Sequence, residues 1–100
     1  MIEITNISMK VNADEEEVKA YASIILNNSV KINGIKLLTT REGKLYVLLP
    51  ESRERPIQYV VPINAECRRY IDETLIDRYL TMREAFINKN PPLLNEDRSG

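Results

Sequence analysis

Histidine is absent from this chain of 100 residues, and cysteine occurs once, at Cys67. Without histidine the commonest general base at neutral pH is missing, and with it the Ser-His and Cys-His arrangements that activate nucleophiles. A lone cysteine forms no intrachain disulfide and, with no histidine beside it, cannot assemble the usual zinc ligand sets. The residue types therefore argue against an enzyme and imply neither a metal nor another cofactor. No apolar run approaches the ~20 residues that a membrane-spanning helix needs, and no basic-then-apolar leader opens the chain. The expectation is a cytoplasmic protein with no membrane partner.

The composition, 43% hydrophobic and 29% charged, is that of an ordinary globular protein. At this length one core is expected, burying something like 60–70% of the surface that the unfolded chain exposes. A net charge of −1 exerts no overall pull on nucleic acid, but its distribution is uneven. Residues 1–30 hold two basic and five acidic side chains, whereas residues 31–55 hold six basic and three acidic. The middle of the chain is its basic part.

Ile2 and Ile4, then Ile7, Met9 and Val11, alternate as in a half-buried strand, and the change of parity between Ile4 and Ile7 predicts a bulge or bend. Asp14-Glu15-Glu16-Glu17 reads as an exposed turn rather than a calcium loop, because adjacent carboxylates repel and need water. A second strand follows with Val18, Ala20, Ala22, Ile24 and Leu26 on one face and Lys19, Tyr21 and Ser23 on the other. Asn27-Asn28 signals a hairpin turn, since asparagine tolerates positive φ. Val30 and Ile32 resume the alternation, and parity shifts again at Asn33-Gly34 before Ile35 and Leu37, which marks a bulge or a second turn. Arg41-Glu42-Gly43-Lys44 is the next hairpin loop, Leu45, Val47 and Leu49 the fourth strand, and Pro50 its end. After the charged loop 51–56, Ile57, Tyr59 and Val61 read as a short fifth strand.

The junction Val60-Val61-Pro62-Ile63-Asn64 then separates strand from helix. Proline cannot donate to a ladder, so Pro62 ends the extended run, and Asn64 is placed to cap the first helical turn. The helix is expected from Ala65 to Ile87. Cys67, Ile71, Leu75, Tyr79, Met82 and Phe86 form a stripe to lie against a sheet. A second stripe, Ile76, Leu80 and Ile87, implies either a subunit interface or a helix break near Thr81. Residues 88–100, with Pro91-Pro92, read as a loose tail after a single domain spanning 1–87.

Two features carry the functional argument. Arg68 and Arg69 sit near a helix N-terminus, where a cation opposes the macrodipole. A bound phosphate would compensate, and so would an internal salt bridge; both readings stand. Lys31, Lys36, Arg41, Lys44, Arg53 and Arg55 are suited to tracking a phosphate backbone, with Tyr46 or Tyr59 offering a ring to a base. Against that stands the plain reading of lysines as solvated surface that keeps strand edges from pairing. Cys67, on the apolar stripe, reads as core filler.

Taken in order, Ile2-Glu3-Ile4-Thr5-Asn6, Ala22-Ser23-Ile24-Ile25-Leu26-Asn27-Asn28, Leu45-Tyr46-Val47-Leu48-Leu49-Pro50, and Pro62-Ile63-Asn64 followed by Arg68 and Ile71 resemble the stage V sporulation protein G family, SpoVG. The likeness runs from about the first residue to about Tyr79. It implies a small bacterial cytoplasmic regulator that dimerises, binds DNA and RNA, and is associated in spore formers with control of septation. By resemblance Arg68 matches the arginine that follows Pro-Ile-Asn in the segment associated with DNA binding. The chain departs from the pattern at a shortened 51–56 loop, at Val61 where the family has histidine, at Ala65 and Glu66, and at Tyr70 where the family places its next basic residue.

The expected architecture is α+β, an antiparallel sheet of four or five strands with a long C-terminal helix across one face. The expected function is a nucleic-acid-binding regulator acting as a homodimer, paired through sheet edges or the second helical stripe. The alternative is an adaptor for the division or sporulation machinery.

Overall fold

A computed structural model of the chain describes residues 2–13 and 16–89, the side chains of 86–89 excepted. Four strands, β1 (Ile4–Val11), β2 (Val18–Leu26), β3 (Val30–Thr39) and β4 (Leu45–Leu48), are followed by one helix, α1 (Ala65–Lys89). The strands form an antiparallel meander in the order β1-β2-β3-β4. This is the α+β architecture expected from the sequence, with four strands rather than five.

Both parity changes are bulges. The β1–β2 register shifts between Ile4 and Asn6, and the β2–β3 register shifts between Ala22 and Ile24. At the second bulge Gly34 has φ +78°, where an L side chain is strained, and the nearest neighbour to an added Cβ is Pro50 Cγ at 3.8 Å. Glycine therefore serves the backbone conformation at this site and not a close contact. The β2–β3 hairpin turns on Asn27 and Asn28, at φ 51° and 53°. Asn27 also exchanges bonds with Glu3, its Oδ1 and its amide each engaging the Glu3 backbone at 2.8 Å, which carries β1 on past the bulge.

The core lies between one face of the sheet and α1. Ile71, Leu75 and Tyr79 are buried against Ala20, Ala22, Ile24, Ile35, Leu37 and Val47. The first stripe is thus the packed one, and fully burying a leucine such as Leu75 contributes roughly 1.5–3 kcal/mol. Of the second stripe, Ile76 packs partly against the core and Leu80 is half exposed. Phe86 and Ile87 lie outside the described side chains. The helix runs through Thr81 without a break to Lys89, two residues into the expected tail; the rest of that tail, like Asp14 and Glu15, lies outside the described residues.

Asn64 caps α1 as expected: Cys67 N–H donates to its Oδ1 at 2.7 Å, and Arg68 N–H begins the helical ladder on its carbonyl at 3.2 Å. The expected fifth strand is replaced by a single antiparallel bridge, Glu51 with Gln58. The alternation of Ile57, Tyr59 and Val61 does not make a strand: the backbone bends at Tyr59 and Val60, Gln58 alone of residues 57–61 is bridged among the described residues, and the three side chains are exposed.

Candidate nucleic-acid interface

The sheet sorts charge by layer. The four strands contain Lys10, Lys19, Lys31 and Lys36 and not one aspartate or glutamate. Because Ala20, Ala22, Ile32, Ile35 and Leu37 face α1, strand alternation turns their neighbours to the opposite, helix-free face. Register then places Lys10, Tyr21, Lys36 and Leu48 in one row across all four strands, and Asn6, Ile25 and Lys31 in another. Among the described residues Lys10, Lys31 and Lys36 are in no ion pair.

Lys19 does not share that face, although the sequence placed it with Tyr21. An irregularity between Val18 and Ala20 in the β2–β3 register turns it toward the helix side, where it lines a hollow with Thr39, Tyr79 and Leu80. Its Nζ donates to the Glu16 carbonyl at 2.7 Å.

Of the basic residues predicted from the sequence, Lys36 and Arg53 come together, lining a depression of about 460 Å³ with Gly34, Pro50, Glu51 and Tyr59. Arg55 lies in the same exposed loop. Arg41 and Lys44 are exposed in the β3–β4 hairpin, closed by the Thr40 and Lys44 backbones at 2.8 Å. Lys31 lies near the other end of β3, roughly 25–30 Å from that hairpin at the rise of a strand. These cations therefore form no single cluster in the monomer. Arg69 is exposed on the first turns of α1.

Arg68 has the internal role. Its Nε donates to Asp72 Oδ2 at 2.9 Å and its Nη2 to the Val47 carbonyl at 2.6 Å. Of the two readings open for this arginine, the salt bridge is the one the structure contains. The guanidinium fastens the start of the helix to β4, one edge of the sheet. Tyr70 acts at the other edge, its hydroxyl accepting from the Ile4 N–H at 2.8 Å. Polar side chains two residues apart on α1 thus tie the helix to both outer strands, and the position where a second family cation was expected is occupied by a fastening tyrosine.

Sequence reasoning did not select Lys10 and Tyr21, which the register adds to the candidate surface. Alternation had already put Tyr21 opposite the apolar face; Lys10 was hidden by counting charge over the acidic first 30 residues, whose carboxylates are Glu3 and the 14–17 turn rather than the strands.

Fold and surface together define a small α+β protein with a helix-backed sheet and one open, lysine-bearing face. The family model for SpoVG matches residues 2–81, and the chain belongs to that family. It is similar to proteins named "Putative septation protein SpoVG" from Acetivibrio thermocellus, at 30% identity over 78% of this chain and 85% of that protein. The protein of the same name from Clostridium novyi is 26% identical over 87% of this chain and 89% of its own length. The Exiguobacterium protein is 28% identical over 81% of this chain and 84% of its own. Among the described residues no helix is long and apolar enough to cross a membrane.

Proposed function

We propose that the protein is a cytoplasmic nucleic-acid-binding regulator, associated with septation and sporulation control, that engages DNA or RNA phosphates through its sheet lysines. The observation that carries this reading is the charge sorting of the sheet: Lys10, Lys31 and Lys36 on its helix-free face, and no carboxylate in any of the four strands, in a chain whose net charge is −1. Lys36 is paired on both sides, with Tyr21 of β2 and Leu48 of β4, so the protection of open edges does not account for it. Arg53, Arg55, Arg41, Lys44 and Arg69 add exposed cations around that face and at the helix start, whereas Arg68 is engaged in holding the helix.

A homodimer is part of this reading. Ile57, Tyr59, Val61 and Ile63 expose apolar side chains in the segment between β4, an edge of the sheet, and α1, and Ile63 is 92% exposed. A second copy pairing there would cover them and would double the basic surface available to one strand of nucleic acid.

Binding held by phosphates releases counterions, so log affinity for a labelled oligonucleotide falls linearly with log salt, by about 0.7–0.9 per phosphate engaged. A fluorescence-anisotropy titration between 50 and 200 mM salt checks this. No binding at the low end, or an affinity indifferent to salt, removes the reading. The same apolar segment favours a second reading, an adaptor for division proteins. Partner capture that survives nuclease and high salt, and is lost on Ile63→Asp, would select it.

A further inference from the structure

We propose that the helix-free face of the sheet is a platform for single-stranded nucleic acid, on which a base stacks on Tyr21 while Lys10 and Lys36 hold the phosphates on either side. This rests on the nucleic-acid reading above and adds to it a strandedness, a site and two residues.

Register supplies the first argument. Tyr21 on β2 is paired directly with Lys10 on β1 and with Lys36 on β3, so one exposed ring stands between two cations. Directly opposed side chains in an antiparallel pair have Cβ atoms about 4.5–5.5 Å apart. Lysine stems span the further distance to phosphates lying beside a stacked base. The ring is 46% exposed although β2 is an inner strand, because α1 covers only the other face.

Relief supplies the second. A depression of about 260 Å³ lined by Lys10, Tyr21, Ser23 and Asn33 meets the one holding Lys36 and Arg53 at Gly34, which lines both. The bulge puts a residue with no side chain where the two hollows join. A chain of phosphates crossing from β1 to the 51–56 loop then passes Lys10, Lys36 and Arg53 in turn. Glu51 is the acidic group recorded at the far hollow.

Shape decides between one strand and two. The axes of β1 and β4 are separated by three strand spacings, roughly 14 Å, wider than the ~12 Å major groove that admits a helix or a two-stranded ribbon. A duplex also keeps its bases stacked on one another, so the Tyr21 ring would have nothing to receive. Splayed single-stranded bases stack on exposed aromatic rings of open sheets.

The test uses the full chain with three labelled probes, a mixed-sequence 15-mer RNA, the same sequence as DNA, and its 15-bp duplex. The expected result is tighter binding of the single strands. Tyr21→Thr, which keeps a strand-forming residue, weakens them about tenfold or more, while Tyr21→Phe binds as the parent does. Lys10→Ala with Lys36→Ala lowers the salt slope for single strands by about 1.4, or 0.7 for each phosphate lost, and reads out the same site should Tyr21→Thr fail to fold. Single strands and duplex bound equally, or Tyr21→Thr folded and binding as the parent does, overturns the platform and leaves the broader nucleic-acid reading in place. Failure of all three probes at low salt overturns both.

Discussion

Replacing Arg68 with alanine tests whether this arginine belongs to the fold or to a ligand. Its side chain is 40% exposed and that of Asp72 29%, so the i,i+4 ion pair is screened and contributes about 0.3–0.5 kcal/mol. The bond from Nη2 to the Val47 carbonyl is the larger part: a charged donor on a carbonyl contributes about 1.5–3 kcal/mol, and partial exposure argues for the lower half of that range. Removal also deprives Asp72 of its recorded partner when its Oδ1 is already buried without one. The expected loss is about 1.8–2.8 kcal/mol. For a domain of this size each kcal/mol shifts the melting temperature by roughly 4–8 °C, so the variant should melt about 7–22 °C lower. Urea titration at fixed protein concentration measures the loss directly, with an unchanged m value showing that the native state is otherwise intact. Asp72→Asn should cost less, since it removes the ion pair and leaves the Val47 bond. An Arg68→Ala variant as stable as the parent but with weakened oligonucleotide binding would refute the assignment and return the residue to the ligand.

The second fastening is tested by Tyr70→Phe, which leaves the part-buried Ile4 N–H without its acceptor and should cost about 1–2 kcal/mol, with faster hydrogen exchange at Ile4 as the local signature. Asn64→Ala removes the cap on Cys67 N–H and should destabilise by about 1 kcal/mol, whereas Asn64→Asp should be near neutral, both measured by urea titration.

How far the sequence spoke for this molecule depended on whether a feature was local. The strand-to-helix junction was legible because Pro62 and Asn64 act through their own backbone and the next helical turn. The bulges at Ile4–Asn6 and Asn33–Gly34 were legible because a parity change in a half-buried strand has few other causes. The Ile57–Val61 segment misled: alternation of residue types fixes neither the backbone nor its neighbour, and here the chain bends at Tyr59 and Val60 after the single Gln58–Glu51 bridge. Arg68 was ambiguous for a different reason. Its spacing from Asp72 is visible in the letters, but Val47 is 21 residues away in sequence and is brought to the guanidinium only when α1 packs across β4. Tyr70 reaching Ile4, across 66 residues, was invisible for the same reason.

The charge balance shows the same limit from the functional side. Summing over the first 30 residues gave an acidic segment and drew attention away from Lys10 and Tyr21, yet folding separates what the sum combined. Among the described residues the only charged side chains in the strands are lysines, while α1 behind them holds five carboxylates, Glu66, Asp72, Glu73, Asp77 and Glu84, against five cations, Arg68, Arg69, Arg78, Arg83 and Lys89, and is neutral overall. Packed layers stand about 10 Å apart, comparable to the ~8 Å screening length at physiological ionic strength. A polyanion on the open face therefore meets the nearby lysines almost unscreened, and behind them a helix whose charges balance and are strongly screened. A chain with net charge −1 can in this way present a positive working surface, because the sign that a ligand feels is set within one layer of the structure and not by the whole molecule.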